Sequence, residues 1–557
     1  MIKSKGKCIP SFLVFLLLFI INGVIKAQEQ VHLFPDCSFA VSGDTVWFNV
    51  FILNGDSDNV SNVVHVQLDD TGNRHISKVS VTCTGNRGEG YIQIPDSLST
   101  GVYVIKAFLL VQKNTGAANI NQRLITVYNR FDDELYTIQT PETDHLLFFS
   151  SNENISIETD KEKYQRGEQV TVKIRIPREI ADESSNVIIT AGLSDPFSEQ
   201  FISSCVPVLQ KAKTKFPVSF AEKNGVLLTG QVTLPDSSAP VSNAVVLLSI
   251  PDSVPYFDYC ITDSVGEFYF YLRNATGTAD LVLQAISKET DECRIELFEN
   301  YIDNNGFQCQ EKILAVNERT FVDGIIKASY FTKLFKGYNI KTTNRFSMPP
   351  AFRHPFYGEP SKSFYPELFF DLPDFKEISR EILHGVQYRE RKEQTTIRLI
   401  DNGGKSVFKE EPLKLLDGIP VFDTHIFTPL GTKEIKRVDA VFYTRYFGDL
   451  TFKGVLAVYT KNQSLGWVDS MPGMGHFSYS CLQPAAKWNF SNKSVPNTNV
   501  PNFSKVLFRE SRNGNKINSA SGFGFCTSDI TGDVAIRVIV VENDNHIYFS
   551  NKIIKVE

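Results

Sequence analysis

The feature that most constrains the fold of this chain is the repeated return of short, alternating apolar runs between turn residues. Examples are Thr45–Ile52, Val64–Leu68, Val170–Ile176 and Ala244–Ser249. Each run is long enough for one strand and short for a helix. The chain also has 43 Phe and 4 Met, together with many Val, Ile and Thr, which favours strands. The pattern is typical of sandwiches or barrels, and we predict a mainly β fold of tandem Ig-like β-sandwiches.

Length and charge narrow the class of protein. The 557 residues exceed what one hydrophobic core supports and predict about three to five domains. The net charge is −6 without a basic stripe, so nucleic acid is not an expected partner.

The first residues predict export. Lys3, Lys5 and Lys7 precede an apolar run, Phe12–Ile21, and Ala27 offers a cleavage point, so residues 1–27 are predicted to be a signal peptide. The run is shorter than the roughly 20 residues of a membrane span. We therefore expect an exported chain, periplasmic, outer-membrane associated or at the cell surface, with no membrane span after cleavage. The eight remaining cysteines are expected to be buried or locally paired, not metal ligands.

Strand pattern and composition divide the mature chain into six segments. They are a β-sandwich (28–130), a second β-domain (150–222), a third sandwich (223–320), a Pro- and aromatic-rich linker (321–375), a mixed α/β segment (376–462) and a C-terminal β-sandwich (463–557). Glycine turns at Gly43 and Gly167 precede matching strands and indicate an internal repeat. Residues 375–385 are the best helix candidate, with Asp374 as its cap.

Three segments resemble known families. Ser42–Phe48, Tyr91–Pro95 and Gly101–Ala107 resemble the macroglobulin-type MG2 domain of exported Bacteroidetes proteins, and Tyr164–Glu168 is similar to the opening of a further macroglobulin-like domain. Thr229–Val232 with Asp263–Phe268 resembles carboxypeptidase regulatory-like sandwiches, which are accessory domains without the zinc site.

The most specific resemblance is to TonB-dependent receptor plug domains. Pro412–Val421 resembles their central motif, and Lys433–Asp439, Tyr446–Gly448 and Lys453–Lys461 follow at the family's spacing. The resemblance implies a small α/β domain in which a strand leads to an Asp–Gly turn, a helix carries the Glu–Ile–Arg face, and a last strand ends in Thr–Lys. The motif residues are Leu416, Asp417, Gly418, Ile419, Pro420, Val421, Glu434, Ile435, Arg437, Gly454, Thr460 and Lys461.

The chain departs from the plug family in one respect that matters for function. A receptor of this kind needs a barrel of about 22 strands of about 10 residues each. The sequence ends 96 residues after Lys461. We therefore expect no pore from this chain, and the gating role of the family is not carried over.

Sequence motifs for catalysis are missing. The sequence has no Gly–Cys–Gly–Glu–Gln thioester, no His–Glu–x–x–His and no Gly–x–Ser–x–Gly. No catalytic, cofactor-binding or metal residue is assigned, no cofactor is expected, and the chain is expected not to be an enzyme. Trp47 and Trp467 are interpreted as core anchors, with a sugar-binding platform as the other interpretation.

These observations favour a multi-domain binding or docking module at the bacterial envelope, with envelope proteins, including an outer-membrane β-barrel, as partners. The alternative is a periplasmic or surface protein that captures a glycan or peptide, suggested by Trp467 and the Phe- and Tyr-rich residues 345–370. An enzyme with an unrecognised site is the third hypothesis.

Overall fold

The structure is a computed structural model of the chain. It describes residues 29–53, 61–115, 120–133, 135–141, 146–148, 154–180, 185–194, 203–205, 221–252, 254–288, 290, 292–302, 309–336, 346–347, 355–391, 394–401, 406–485, 501–513, 521–542 and 546–557. The predicted signal peptide lies outside the described residues. Within them, no helix is both long enough and apolar enough to cross a membrane.

Strands form most of the secondary structure. In chain order they are β1 Gln30–Pro35, β2 Phe39–Val41, β3 Thr45–Leu53, β4 Val63–Asp70, β5 His75–Thr82, β6 Arg87–Gln93, β7 Gly101–Phe108, β8 Asn121–Tyr128, β9 Thr137–Pro141, β10 Leu146–Phe148, β11 Ser156–Thr159, β12 Lys163–Tyr164, β13 Gln169–Arg175, β14 Asn186–Leu193, β15 Ser203–Cys205, β16 Gly225–Thr233, β17 Val245–Ile250, β18 Tyr256–Ile261 and β19 Glu267–Arg273.

The later strands are β20 Thr278–Ile286, β21 Arg294–Leu297, β22 Cys309–Ile313, β23 Lys362–Phe364, β24 Val386–Arg391, β25 Gln394–Asp401, β26 Ser406–Val407, β27 Leu413–Leu416, β28 Ile419–Pro420, β29 Ile435–Val441, β30 Arg445–Phe447, β31 Leu450–Phe452, β32 Val455–Thr460, β33 Met474–Ser480, β34 Val506–Asn513, β35 Ser521–Cys526, β36 Gly532–Val541 and β37 Ile547–Val556. The α-helices are α1 Leu110–Thr115, α2 Val316–Lys336 and α3 Phe375–Glu381, and 3-10 turns lie at Pro366–Leu368, Thr424–Phe427 and Val468–Ser470.

The chain divides into two compact units, each built from discontinuous segments. The first comprises residues 1–221, 302–340 and 487–557, and the second comprises 222–301 and 341–486. The predicted mainly β fold with tandem sandwiches is confirmed.

Sandwich A (β1–β8) belongs to the first unit. One sheet has the order β1-β3-β6 and the other β2-β8-β7-β4-β5. Alternate residues of β3, including Phe48 and Val50, share one core with Val66 of β4 and Ile105 of β7. The two sheets therefore enclose a single apolar layer, as the alternating runs predict.

Sandwich B, also in the first unit, combines β11–β14 with β34–β37 from the end of the chain. Its sheets are β11-β13-β35 and β12-β37-β36-β14-β34. β14 pairs with β36 on one side and with β34 on the other. The separate C-terminal sandwich expected for 463–557 is thus a wrong prediction, because these strands have their hydrogen-bonding partners in residues 156–193.

The composition of β36 explains why it occupies the middle of a sheet. Val534–Val541 is almost continuously apolar, which is typical of a strand buried on both faces. One face contributes Ile536 and Val538 to the core of sandwich B. The other face places Ile539 and Val541 in a second cluster with residues of sandwich A, namely Phe34, Phe51 and Leu53.

A buried ion pair also joins sandwiches A and B. Arg509 Nε lies 3.1 Å from Asp36 Oδ2, and the two side chains are only 6% and 2% exposed. The same guanidinium donates to Phe48 O at 3.0 Å and lies over the ring of Trp47. Trp47 is buried, which confirms its interpretation as a core anchor.

The internal repeat between the two sandwiches is visible in their turns. Gly43 and Gly167 both have positive φ, +82° and +70°, and a strand begins two residues after each. Asp44 Oδ2 accepts a hydrogen bond from Val41 N, and Glu168 Oε2 accepts one from Gln165 N. In both turns an acidic side chain binds the backbone three residues earlier, which confirms the predicted glycine–acid turn.

The segment expected to be a linker, 321–375, is a further wrong prediction. Its first part belongs to helix α2, whose buried Val322 and Ile325 pack on sandwich A. Glu318 caps this helix by accepting from Ala315 N at 2.7 Å. The first proline of the region is Pro349, so no proline interrupts this helix. The last part contains β23, which pairs with β29 in a sheet.

Sandwich C in the second unit is completed by a strand from beyond residue 463. Its sheets are β19-β16-β21 and β18-β17-β20-β33. β33 pairs with β20 from Thr278↔Ser480 to Gln284↔Met474. The chain therefore leaves this sandwich after β21 and returns to it much later.

Domain D (residues 355–460) lies between these two passages. Its mixed sheet has the order β23-β29-β32-β27-β28, with β27 and β32 parallel. Helix α3 packs on one face of the sheet through Phe375 and Ile378. Asp374 Oδ1 accepts from Glu377 N at 2.8 Å, which confirms the predicted helix start and cap.

The central place of β36 can be tested with two isoleucines. Ile536 is fully buried, so Ile536→Ala should lower the free energy of unfolding of sandwich B by about 2–5 kcal/mol. The matched control is Ile553→Ala on β37, where the side chain is 49% exposed, and its cost should stay below about 0.5 kcal/mol. Urea unfolding, monitored through the hydrogen exchange of β14 amides, measures the free energy lost in each variant. Equal losses of free energy in the two variants would contradict the assigned register.

The Asp36–Arg509 pair predicts a pH dependence. Burial raises the pKa of the Asp36 carboxyl to about 6 although the Arg509 guanidinium opposes this. Because the folded-state pKa exceeds that of the unfolded chain, the folded state favours the protonated carboxyl, so the stability is highest below about pH 4 and declines as the pH rises from 4 through 6. Thermal unfolding between pH 4 and pH 8 should show this decline, and Asp36→Asn should flatten it. Asp70→Asn, at a surface ion pair, serves as the control.

Candidate functional site

The first half of the motif forms a tight hairpin in domain D. Leu416 and Ile419 pair directly across the two-residue loop Asp417–Gly418. Both loop residues have positive φ, +51° and +88°, as a type I′ turn requires. An Asp–Gly pair is favoured there because both residue types tolerate the left-handed region. The predicted Asp–Gly turn is confirmed.

The Asp417 carboxylate attaches this turn to the end of β32. It accepts hydrogen bonds from Thr460 N and Thr460 Oγ1, both at 2.7 Å. Asp417 N in turn donates to Val458 O at 2.8 Å. Burial raises the pKa of Asp417, while the two bonds from Thr460 act in the opposite direction. Two motif residues that are far apart in sequence thus serve as one structural clamp.

The second half of the motif is a strand, and the expected helix carrying Glu434, Ile435 and Arg437 is a wrong prediction. Ile435–Val441 forms β29, antiparallel to β32. Its apolar residues recur with a period of two, so that Val438 and Ala440 face the same core.

The side chains of β29 support a buried polar network. Arg437 lies 4.5 Å from the ring centroid of Tyr459, and its Nη2 is 3.2 Å from Asp439 Oδ2. Asp439 also accepts from Tyr357 Oη at 3.0 Å and from Ser363 Oγ at 2.7 Å. Burial is the main cause that raises the pKa of Tyr357. The network fixes the edge strand β23 to the sheet.

Two motif glycines lie at close approaches of the chain. Gly454 has a φ of +91°, and a Cβ there would be 2.5 Å from Val441 O. A Cβ on Gly418 would be 2.4 Å from Pro255 Cβ in sandwich C. Leu416, Ile419, Pro420 and Val421 are buried. Most of the motif therefore serves the fold, and it leaves few side chains for a ligand.

The most exposed apolar group of domain D is a loop that sequence reasoning assigned to the linker. Leu368, Phe369 and Phe370 are 77%, 53% and 67% exposed. These three consecutive residues are called the LFF loop here. They follow Pro366, which is buried, and precede Leu372, which is 5% exposed. In the sequence, this loop is visible as three consecutive large apolar residues between the acidic residues Glu367 and Asp371.

The motif holds the LFF loop at both ends. Lys461 Nζ lies 3.6 Å from Glu367 Oε2 before the loop. After the loop, Lys433 Nζ lies 2.6 Å from Asp371 Oδ2, and this ammonium lowers the pKa of Asp371. Leu372 N donates to Thr432 Oγ1 at 3.1 Å. The loop is thus fixed to the folded body although its three apolar side chains face solvent.

The motif also shapes the turn on which the end of the LFF loop rests. Gly431 N donates to the carboxylate of Glu434 at 2.9 Å. This turn carries Thr432, whose backbone N donates to Leu372 O at 3.1 Å. Glu434 and Lys461 therefore contribute to the presentation of the loop.

The structure also shows where Trp467 and two of the cysteines lie. Trp467 is partly buried and packs against clusters that contain Val421 and Val468. Cys83 and Cys481 are buried thiols, and burial raises the pKa of each to about 12. In the residues that the structure describes, no group of three or more His, Cys, Asp or Glu side chains is arranged to hold a metal ion.

Comparison with known proteins gives no family. No protein-family model and no curated protein matches the sequence. Solved structures that match include the α2-macroglobulin of Salmonella reacted with methylamine (9% identity, 95% of this chain, 40% of that chain, TM-score 0.23). The Escherichia coli α2-macroglobulin activated by porcine elastase matches with 8% identity over 95% of this chain and 44% of that chain, with a TM-score of 0.22.

A tandem repeat from the extending region of a large adhesion protein also matches, with 8% identity, 95% of this chain, 100% of that chain and a TM-score of 0.13. The chain spans about two fifths of the length of the macroglobulin structures. At these TM-scores the likeness is weak, and the strand pairing defines the fold.

The Asp417 clamp can be tested by substitution. Asp417→Ala removes both acceptors of Thr460 and places an ordinary side chain at positive φ, so it should destabilise domain D by about 2–4 kcal/mol. Asp417→Asn keeps one acceptor and the tolerance of positive φ and should cost less. Asp423→Ala, which removes the exposed cap of a 3-10 turn, should cost about 1 kcal/mol. Urea unfolding gives the order, and a cost for Asp417→Ala no larger than for Asp423→Ala would refute the clamp.

Proposed function

We propose that this chain is an exported, non-enzymatic binding module that docks to a protein of the bacterial cell envelope through the LFF loop. The observation that carries the proposal is the exposure of three consecutive large apolar side chains on a loop fixed at both ends. Exposed apolar patches on a folded body are typical of interaction sites.

The energetics of such a loop suit protein recognition. Burial of a Leu or Phe side chain contributes about 1.5–3 kcal/mol, so three of them form an effective hot spot. A loop already held by ion pairs and backbone hydrogen bonds loses less conformational entropy on binding. Phe369 and Phe370 therefore serve as anchors that enter pockets of the partner.

Export and the envelope rest on the sequence alone. The charged start, the apolar run Phe12–Ile21 and Ala27 support a signal peptide, and Pro412–Lys461 resembles receptor plugs. Within the envelope, an outer-membrane β-barrel is the partner that this resemblance favours. The expectation that the chain catalyses no reaction likewise rests on the missing sequence motifs.

The alternative of glycan capture is less favoured by the geometry. It depended partly on Trp467, whose ring packs against two apolar clusters of the second unit. A sugar-stacking platform needs an open aromatic face, and among the described residues of the region 345–370 the exposed aromatic rings are those of Tyr365, Phe369 and Phe370, two of which belong to the LFF loop. Three neighbouring apolar side chains, flanked by the ion pairs of Glu367 and Asp371, form an apolar centre with a polar rim, which suits a protein surface better than a sugar.

The test is photo-cross-linking in cells with a photoreactive residue at position 369, followed by envelope fractionation and mass spectrometry. We expect one envelope protein to be recovered. The triple variant Leu368→Ser, Phe369→Ser, Phe370→Ser should abolish co-purification of that protein without a change in melting temperature, because all three side chains are exposed.

A matched control is available on sandwich C. Ile261→Ser, Val265→Ser and Tyr269→Ser remove three side chains that are 55%, 49% and 58% exposed. This control should retain the partner. Loss of the partner in both triples, or recovery of no envelope protein with the wild type, would refute docking through the LFF loop.

A further inference from the structure

A small cavity in the first unit lies where the end of sandwich A meets helix α2. Its volume is about 40 Å³. The polar and aromatic residues that line it include Ser42, Asp96, Arg130, Phe131, Tyr330 and Lys333. None of these residues belongs to the motif or to the LFF loop, and the proposed function does not use them.

Arg130 is the one lining group whose charge has no acidic partner among the described residues. Its guanidinium lies 4.5 Å from the ring centroid of Phe131 and 5.2 Å from that of Tyr330. The other cation of the cavity, Lys333, already donates to Ser42 O at 3.0 Å and lies 3.4 Å from Asp96 Oδ1. Lys333 and Asp96 therefore compensate each other, and Arg130 leaves the cavity with one net positive charge.

The two rings prepare Arg130 for a particular kind of ligand. A guanidinium carries its five N–H donors in one plane, and aromatic rings bind to its flat faces. The donors at its edge then remain for a planar anion, which a carboxylate matches with two parallel hydrogen bonds. Because the rings restrict the side chain, less entropy is lost when those bonds form.

The size of the cavity selects the ligand further. A volume of about 40 Å³ holds roughly three water-sized groups, since one needs about 10–15 Å³. A carboxylate has three heavy atoms, whereas a sugar ring with its hydroxyls is larger. The cavity therefore has room for one terminal acidic group, whereas a sugar ring would extend beyond it.

One side of the cavity rim is apolar. Phe131 is 74% exposed, Tyr330 48%, and Leu334, one turn further along α2, 62%. Such a rim is suited to apolar residues on both sides of an acidic residue. The positive charge of Arg130 and the apolar side chains at the rim together favour an acidic peptide over a small free anion.

We propose that Arg130, Phe131 and Tyr330 bind the carboxylate of an acidic side chain in a partner protein, flanked there by apolar residues. This inference rests on the proposed function, because it names a second recognition element of the same binding module. Arg130 supplies the bidentate hydrogen bonds, and the two aromatic rings supply apolar contact to the flanking residues.

The experiment begins with a random peptide library displayed on phage and selected on the purified mature chain. We expect enriched peptides to contain Asp or Glu between apolar residues. Fluorescence anisotropy with the labelled consensus peptide then gives its dissociation constant. Arg130→Gln should weaken binding about tenfold or more. Arg74→Gln, at an exposed arginine of sandwich A paired with Asp70, should not change it.

A thermodynamic cycle separates the contact from indirect effects. Replacing the acidic residue of the peptide by its amide should weaken binding to the wild type but not to Arg130→Gln. Phe131→Ala, at a side chain that is 74% exposed, provides a second variant if Arg130→Gln lowers the melting temperature. It should weaken binding without altering the fold.

Three outcomes would overturn the inference. They are a library without an acidic consensus, a consensus peptide that binds Arg130→Gln as tightly as the wild type, and Arg130-dependent binding of a glucuronate oligosaccharide instead of peptides. If one of these outcomes occurs while the photoreactive residue at position 369 still captures an envelope protein, only the inference fails and the proposed function remains. If one of them occurs and the photoreactive residue captures no envelope protein, both fail.

Discussion

The first unit depends on the pairing of β36 with β14, two strands that lie more than 300 residues apart in sequence. Closing such a long connection costs little more than closing a short one, because the entropic cost grows with the logarithm of length. The connection is about five doublings longer than a loop of ten residues, which adds about 3 kcal/mol to the entropic cost of closing it. Burial of two β-branched side chains of β36 offsets this cost. The second unit can therefore be inserted into sandwich B without loss of its core.

The contact between sandwiches A and B combines two kinds of interaction. The outer face of β36 supplies an apolar cluster, which is strong but not directional. Arg509 adds direction, because it is buried and binds both Asp36 and the carbonyl of Phe48. A displaced interface would leave those charges buried without partners, at a cost of several kcal/mol. One arginine thus fixes the register in which the two sandwiches meet.

Local features were predictable from the sequence, and distant pairing was not. The turns at Gly43 and Gly167, the cap Asp374 and the Asp417–Gly418 hairpin follow from residue types within a few positions. The apolar run in β36 indicates burial on both faces, but periodicity does not name the neighbouring strand. The period of two in residues 435–441 indicates the strand that is observed, whereas the resemblance to plug domains implies a helix there. Within the candidate site, Asp417 was predicted as a turn residue, whereas its bond to Thr460 depends on tertiary structure.

The order of the strands of sandwich B along the chain affects a polypeptide that is not yet complete. Both hydrogen-bonding neighbours of β14 come from the last strands of the chain, β34 and β36, which begin at Val506 and Gly532. Until those residues are present, β14 is an apolar strand with two open edges, the kind of surface on which foreign strands assemble. Strands β34 and β36 thus protect both edges of β14 from pairing with strands of other molecules. A truncated chain that lacks these two strands leaves both edges of β14 unpaired and is therefore prone to aggregate.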